Sequence, residues 1–340
     1  MRPAALRWIR FYAGLGITAA CLWLTLRRVH FDEMARAARH LQWLWLVVAL
    51  LALAAGYSAR IHRWWWMLRT YSPSVQLRSC VWPLLAGFAV NNVVPFRAGD
   101  ALRIVGFCKE LNTPAVRLLG SLLIERILDL SVLLIFLLVG MADLGAQQLP
   151  AGYLRIAVLV TVVGAGGWTC LLWMGDHLES LLLKICRVRI WGDALGAKVA
   201  QHVQHLFAAL SLVRVPGAAL KLLAMSGVVW SCEGGVFAAI AAGLGYGGRG
   251  VGPWFALATG SLATMIPSSP GYVGTFDLFT LSGFAAYGVA TASAVAMTLV
   301  IHLLLWLPIT AAGLGYLLVV HFREPNEAVM AGAAQKRKSL

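Results

Sequence analysis

Acidic side chains are scarce in this sequence, 14 Asp and Glu in 340 residues, and charged residues of both signs make up only 12%. Soluble domains carry about 25% charged residues, so a chain this poor in charge has too little polar surface to cover itself in water. Cysteine pairs are lacking too. Cys21, Cys80, Cys108, Cys170, Cys186 and Cys232 stand singly, with no Cys-x-x-Cys spacing, which argues against a disulfide framework or a thiolate zinc site. No Asp-x-Asp pair is present to hold a metal-bound nucleotide sugar, and no Ser-His or His-Asp constellation for acid–base work. Neither a catalytic set, a metal nor a cofactor is therefore expected.

What is abundant is apolar residues, 60% of the chain, with a mean hydropathy of +0.77. Several segments have the length and apolarity of spanning helices, so the expected class is an all-α polytopic membrane protein. The 28 Lys and Arg fit the excess that cytoplasmic loops carry, and nucleic acid is not an expected partner. The run 11–26 follows Arg2, Arg7 and Arg10 but leads into Arg27-Arg28 with no small-residue cleavage site, so it is read as a span. Residues 31–41 suit a helix lying in the interface. A second span covers 43–61, closed by Arg60, Arg63 and a headgroup belt Trp64-Trp65-Trp66.

Further spans are expected at 118–142, 153–174, 218–244 and 290–320, the last kinked at Pro308, which makes about six. Between them, 143–152 lacks Lys and Arg and falls outside, whereas 176–216 is a basic, amphipathic cytoplasmic region. A single membrane domain over 1–320 is followed by a basic tail at 321–340. Both termini are assigned to the cytoplasm, against which Arg27, Arg28, Arg36 and Arg39 stand as exceptions to the positive-inside rule.

Two stretches cannot be plain spans. Asn91 to Arg103 reads Asn-Asn-Val-Val-Pro-Phe-Arg-Ala-Gly-Asp-Ala-Leu-Arg, placing a breaker and three charges inside apolar sequence. Pro95 removes a backbone donor and Gly99 loosens the chain, so one helix should end near Asn92 and another begin near Ala98. Pro267-Ser-Ser-Pro-Gly271 repeats the Pro-x-x-x-Gly spacing. The spacing predicts two re-entrant hairpins, at about 77–108 and 254–286, hinged at Pro95, Gly99, Pro267, Pro270, Gly271 and Gly274. Placed by the lysines and arginines around them, they enter from opposite faces, as in inverted repeats.

A helix starting near Ala98 would aim free N–H groups and its positive dipole end at the membrane centre, with Arg97 and Arg103 adding charge: a phosphate site in outline. Asp100 either joins that site or only caps the helix and pairs with Arg97. Asn91 and Asn92 either line the site or satisfy backbone groups freed by Pro95. Glu125 and Asp129 share a helix face and need cations, for which Arg97 and Arg103 are available, with Arg126 about 100° round the helix. Alternatively, Glu125 faces interfacial water. Ser268, Ser269, Thr275 and Asp277 decorate the second break, which has no arginine and suits a gate or polar lining. Glu233 is either a proton carrier or the structural partner of an arginine. His202-Val-Gln-His205 has metal-pair spacing but lies in a basic surface region without nearby carboxylates or thiolates, and reads as a solvated face.

In their order, Arg63-Trp64, Asn91-Asn92-x-x-Pro95-x-Arg97-x-Gly99-Asp100-x-x-Arg103, Glu125-Arg126-x-x-Asp129 and Pro267-x-x-Pro270-Gly271-x-x-Gly274 carry a resemblance across nearly the whole chain. It resembles the lysylphosphatidylglycerol synthase/flippase transmembrane family. The resemblance implies a lipid-handling fold with re-entrant segments, related to the flippase domain of multiple-peptide-resistance factors and to proteins linked with polyprenyl-phosphate sugars and hopanoids. The sequence ends soon after its final span, without the soluble aminoacyl-transferase domain of two-domain members, so only the flippase-like half is expected. Asp277 stands where members often carry glutamate, and Thr275 where arginine is common. The expected function is a flippase or transporter of an anionic phospho- or polyprenyl-phosphate-linked lipid in the bacterial inner membrane. The alternative is an accessory protein or transferase in lipid-linked sugar, hopanoid or aminoacyl-lipid metabolism, with a lipid-modifying enzyme encoded elsewhere as partner.

Overall fold

A computed structural model describes residues 41–94, 97–145, 175–186, 193–248, 250–265 and 269–338, with scattered positions between 155 and 168. The span at 11–26, nearly all of the interface helix at 31–41, most of the span at 153–174, and Pro95, Pro267 and Ser268 lie outside the described residues. All regular elements among the described residues are helical.

Helix α1 (Trp43–Tyr71) runs 29 residues, nearly three turns beyond the expected end near residue 61. Helix α2 (Leu77–Val93) stops one residue after Asn92, where Val94 turns extended. The chain re-enters helix at Ala98 as expected, but α3 (Ala98–Ala101) is one turn long and continues as a π-helical turn, Leu102–Gly106. Gly99 makes the reversal feasible. A Cβ there would run into the Gly87 carbonyl and stand 2.8 Å from the Asn91 amide nitrogen and Oδ1, so α3 folds back onto α2 backbone to backbone.

Helix α4 (Ala115–Leu144) covers the segment expected at 118–142. The amphipathic region forms α5 (Gly175–Cys186), α6 (Asp193–Leu210) and a 3-10 turn at Ser211–Arg214. Next come α7 (Pro216–Gly243), α8 (Gly252–Ala263), a 3-10 turn at Pro270–Tyr272, α9 (Thr275–Ala286) and α10 (Thr291–Lys338), helical through Pro308. Helices α8 and α9, 12 residues each, are the two arms of the second break. They lie against each other at Gly283, where a Cβ would press the Cα of Ala256 at 2.6 Å, and the Thr259 hydroxyl donates to the Phe279 carbonyl at 3.0 Å.

Helices α1 and α7 and residues 291–320 of α10 are long and apolar enough to cross a membrane. Their outward faces are apolar: Leu44, Leu51, Leu220, Leu303 and Leu307 are each more than half exposed, as side chains facing lipid are. Inside, two apolar cores stack end to end. Ala49 and Leu53 of α1 belong to one and Trp64, Met67 and Leu68 to the other; α4 and α7 divide in the same way, at Val132 and at Val229. Arg60, Arg63, Glu125 and Asp129 sit at that junction, all buried.

Candidate functional site

The junction is built as charge against charge. Arg60 and Arg63 are one turn apart on α1 and project from one face. The Nη1 of Arg63 donates to Asp129 Oδ1 at 2.5 Å and to the Ser226 hydroxyl at 2.6 Å, with Glu125 3.9 Å away. Arg60 pairs with Glu233 of α7 and is 4.0 Å from Asp129. Both Nη atoms of Arg103 donate to Glu125, at 3.3 and 3.1 Å, and its guanidinium lies 4.4 Å from the Trp64 ring centre. The Trp230 indole donates to Asp129 at 3.0 Å and supports Arg60, 4.7 Å above its ring. Three arginines thus meet three carboxylates in a low-dielectric layer, where either set alone would be strongly destabilising.

Several expectations change here. Arg60 and Arg63 do not close a span at the interface, and Trp64 of the expected belt Trp64-Trp65-Trp66 does not face headgroups; the three are 6%, 1% and 1% exposed. Glu125 does not face interfacial water, being 2% exposed. Asp129 takes its cationic partners from α1, whereas Arg97 and Arg103 were the cations the sequence offered. Glu233 proves to be the partner of an arginine, Arg60.

Beside this layer lies a cavity of about 320 Å³ whose wall takes residues from both broken segments. Asn91, Asn92 and Arg97 come from the first break, Gly271 and Tyr272 from the second, Arg126 and Asp129 from α4, and Arg60 and Glu233 from the ionic layer. Aromatic rings of Tyr57, Phe88, Trp230 and Trp306 fill in between them. The breaks touch: a guanidinium nitrogen of Arg97 donates to the Thr264 carbonyl at 3.3 Å, and a Cβ on Gly271 would stand 3.2 Å from the Asn92 carbonyl, which accepts the Trp306 indole of α10 at 3.3 Å. Arg103 and Glu125 are absent from the wall; they lie behind it as a buried pair.

Asp100 accepts two hydrogen bonds from Arg126, at 3.1 and 3.0 Å, and one from the Asn91 amide at 3.0 Å, so its cationic partner is Arg126 and not Arg97. Its own N–H donates to Asn91 Oδ1 at 3.2 Å. This corrects the expected anion site at a half-helix N-terminus. The α-helical part is four residues long, too short to sum a useful dipole, and Asn91 already occupies an N–H. Asn92 donates to the Thr310 hydroxyl at 2.9 Å, tying the break to α10.

Arg97 differs from the other arginines of the wall. It has no carboxylate partner among the described residues, and its guanidinium rests 5.8 Å from the Tyr272 ring centre. Arg97 has φ 54° and Tyr272 φ 60°. Left-handed backbone at a non-glycine residue is uncommon and clusters at functional sites. Each break therefore presents one such side chain to the cavity.

The second break holds itself together from behind. Asp277 Oδ2 accepts the Gly274 N–H at 2.8 Å, capping α9, while Oδ1 meets His302 Nδ1 at 2.6 Å. Ser269 donates to the Val273 carbonyl at 3.1 Å, within the turn that Pro270, Gly271 and Gly274 shape. Neither Asp277 nor Ser269 reaches the wall. His302 does. It was not singled out from sequence, although a lone imidazole in the apolar run 290–320 is the signal that intramembrane ionisable residues give. Tyr57, Trp230 and Trp306 gave none, because aromatic residues in apolar helices read as core, and Tyr272 in its turn was overshadowed by the prolines and glycines that mark the break.

A buried ionic layer, apolar outer faces and a polar chamber where two broken helices meet define a helical integral membrane protein with a polar cavity. The chain belongs to the family of the lysylphosphatidylglycerol synthase TM region, whose family model matches residues 11–313, so its role concerns membrane lipid. No curated protein and no solved structure matches the chain.

Proposed function

We propose that the protein is a flippase or transporter of an anionic lipid, phospho- or polyprenyl-phosphate-linked, in the bacterial inner membrane. The observation that carries this is Arg97, a cavity cation whose charge no carboxylate among the described residues offsets, facing a chamber walled by aromatic rings and amides. A single phosphate oxygen charge would complete that balance, with guanidinium as the donor suited to phosphate. Asn91 and Asn92 stand at the same wall, while acyl or prenyl tails remain in the bilayer. In this reading the two breaks are re-entrant hairpins inserted from opposite faces, and exposure alternates as one rocks against the other.

The test is lipid movement between leaflets of proteoliposomes, with fluorescent or isotopically labelled anionic lipids from native extracts. Wild type moves at least one of them, and Arg97→Ala slows it at least tenfold with the fold intact. Absence of movement for every anionic lipid across the extracts sinks the reading.

A further inference from the structure

His302 sits in α10 between a backbone carbonyl and the Asp277 carboxyl group, which when ionised also only accepts. Its Nδ1 is 2.6 Å from the Asp277 carboxylate and its Nε2 is 3.0 Å from the Gly271 carbonyl. A neutral imidazole carries one N–H and cannot satisfy both; a protonated one donates to each. Asp277 in turn holds the Gly274 N–H, so one imidazole fastens the second break at both ends, at Gly271 and, through Asp277, at Gly274. Within the turn, the Tyr272 N–H donates to the Ser269 carbonyl at 3.0 Å, Ser269 to the Val273 carbonyl at 3.1 Å and Thr275 to the Tyr272 carbonyl at 3.1 Å, and His302 is the side chain that ties this turn to α10. Gly271, Tyr272 and Gly274 all have positive φ, and Tyr272 is the non-glycine among them.

We propose that His302 is the proton-binding residue of this protein, and that its protonation latches the second break against α10 and sets the cavity wall at Tyr272 and Gly271. Loss of the proton removes one of the two donors, leaves Gly271 or Asp277 unsatisfied, and frees the turn. The sign follows from the donor count: the latch is present at low pH, where the imidazole carries both N–H groups, and is released as pH rises and one is lost. This moves the coupling role from Glu233 to His302. Glu233 is held by Arg60, Asp129 by Arg63, and Asp100 by Arg126, so those carboxylates have fixed cations. Arg97 and Tyr272 share the wall with His302, as does Tyr57, and Phe276 meets the imidazole edge-on at 5.1 Å. Asp277 is thus the carboxylate bonded to His302.

The coupling role rests on the transport reading, but the latch does not, and it is measured on lipid-free protein. Hydrogen exchange of residues 269–274 is followed from pH 5.5 to 8.5 and referred to α7 peptides to remove the intrinsic pH effect. In wild type, protection falls at least tenfold across that range. In His302→Gln it is low and flat. In Asp277→Asn, whose amide oxygen can still cap Gly274, the midpoint moves at least one pH unit lower, because the imidazolium loses its counter-charge. Protection that is flat in wild type, or that titrates identically in His302→Gln, overturns the proposal. If that variant does not fold, an unmoved midpoint in Asp277→Asn overturns it instead. A titrating latch in a protein that moves no lipid at any pH defeats the transport reading alone, and lipid movement with a flat latch defeats this one alone.

Discussion

Arg97 and Arg103 lie six positions apart and carry the same charge, yet the fold gives them opposite duties. Arg103 is 2% exposed and spends both Nη atoms on Glu125, whereas Arg97 meets only a backbone carbonyl and a ring. Arg103→Ala removes the hydrogen-bonded partner of a buried carboxylate and leaves it Arg63 at 3.9 Å, a change that in comparable pairs loses up to about 3–5 kcal/mol, and should lower the thermal midpoint sharply. Replacing both partners, Arg103→Met with Glu125→Leu, should recover most of that loss, as measured by thermal unfolding in detergent. Arg97→Ala should leave the midpoint nearly unchanged and instead reduce the anionic lipid that mass spectrometry finds retained through purification. Equal loss of stability in Arg97→Ala and Arg103→Ala would show that the two are one structural network. The sequence marked both as site cations. It had no means of separating them, because an arginine's role depends on which carboxylate reaches it first, and that is a matter of helix packing.

At the scale of elements, the breaks were legible and the helices around them only in part. Pro95 with Gly99, and Pro267 with Gly271, announced interruptions because a missing N–H and a missing Cβ act locally, and α2, α3, α8 and α9 begin or end within a few residues of the expected points. The end of α1 was misjudged since Arg60, Arg63 and Trp64 look like an interfacial belt until partners from α4 and α7 are known. Gly99→Ala should open the first hairpin, since its Cβ meets the Gly87 carbonyl and Asn91, at an expected loss of about 1–3 kcal/mol. Gly217→Ala is the control: a Cβ there meets nothing within 4 Å, and stability should stay within about 1 kcal/mol. Comparable losses in both would mean that close approach of α2 and α3 is not what Gly99 provides.

For the whole molecule, the lysine and arginine pattern predicts that the turn at Lys109–Asn112 is cytoplasmic and the turn at Gly245–Gly248 lies on the opposite side. Single cysteines at Asn112 and Gly247, in a variant without native cysteines, should react with a membrane-impermeant maleimide from opposite faces of oriented membranes. Labelling of both from the same face would remove the opposed-hairpin arrangement and with it alternating exposure. The sequence by itself determined the class, the helical content and the two interruptions, because the cost of burying charge and unsatisfied backbone groups in hydrocarbon is written locally, residue by residue. Only the tertiary structure decided which arginine faces the cavity, that Arg60 and Arg63 close an ionic layer with Asp129 and Glu233 from distant helices, and that His302 secures the second break. Those outcomes depend on which side chains converge within about 3 Å, a distance at which hydrogen bonding selects one partner over another, and residues 25 to 173 positions apart on different helices carry no local trace of it.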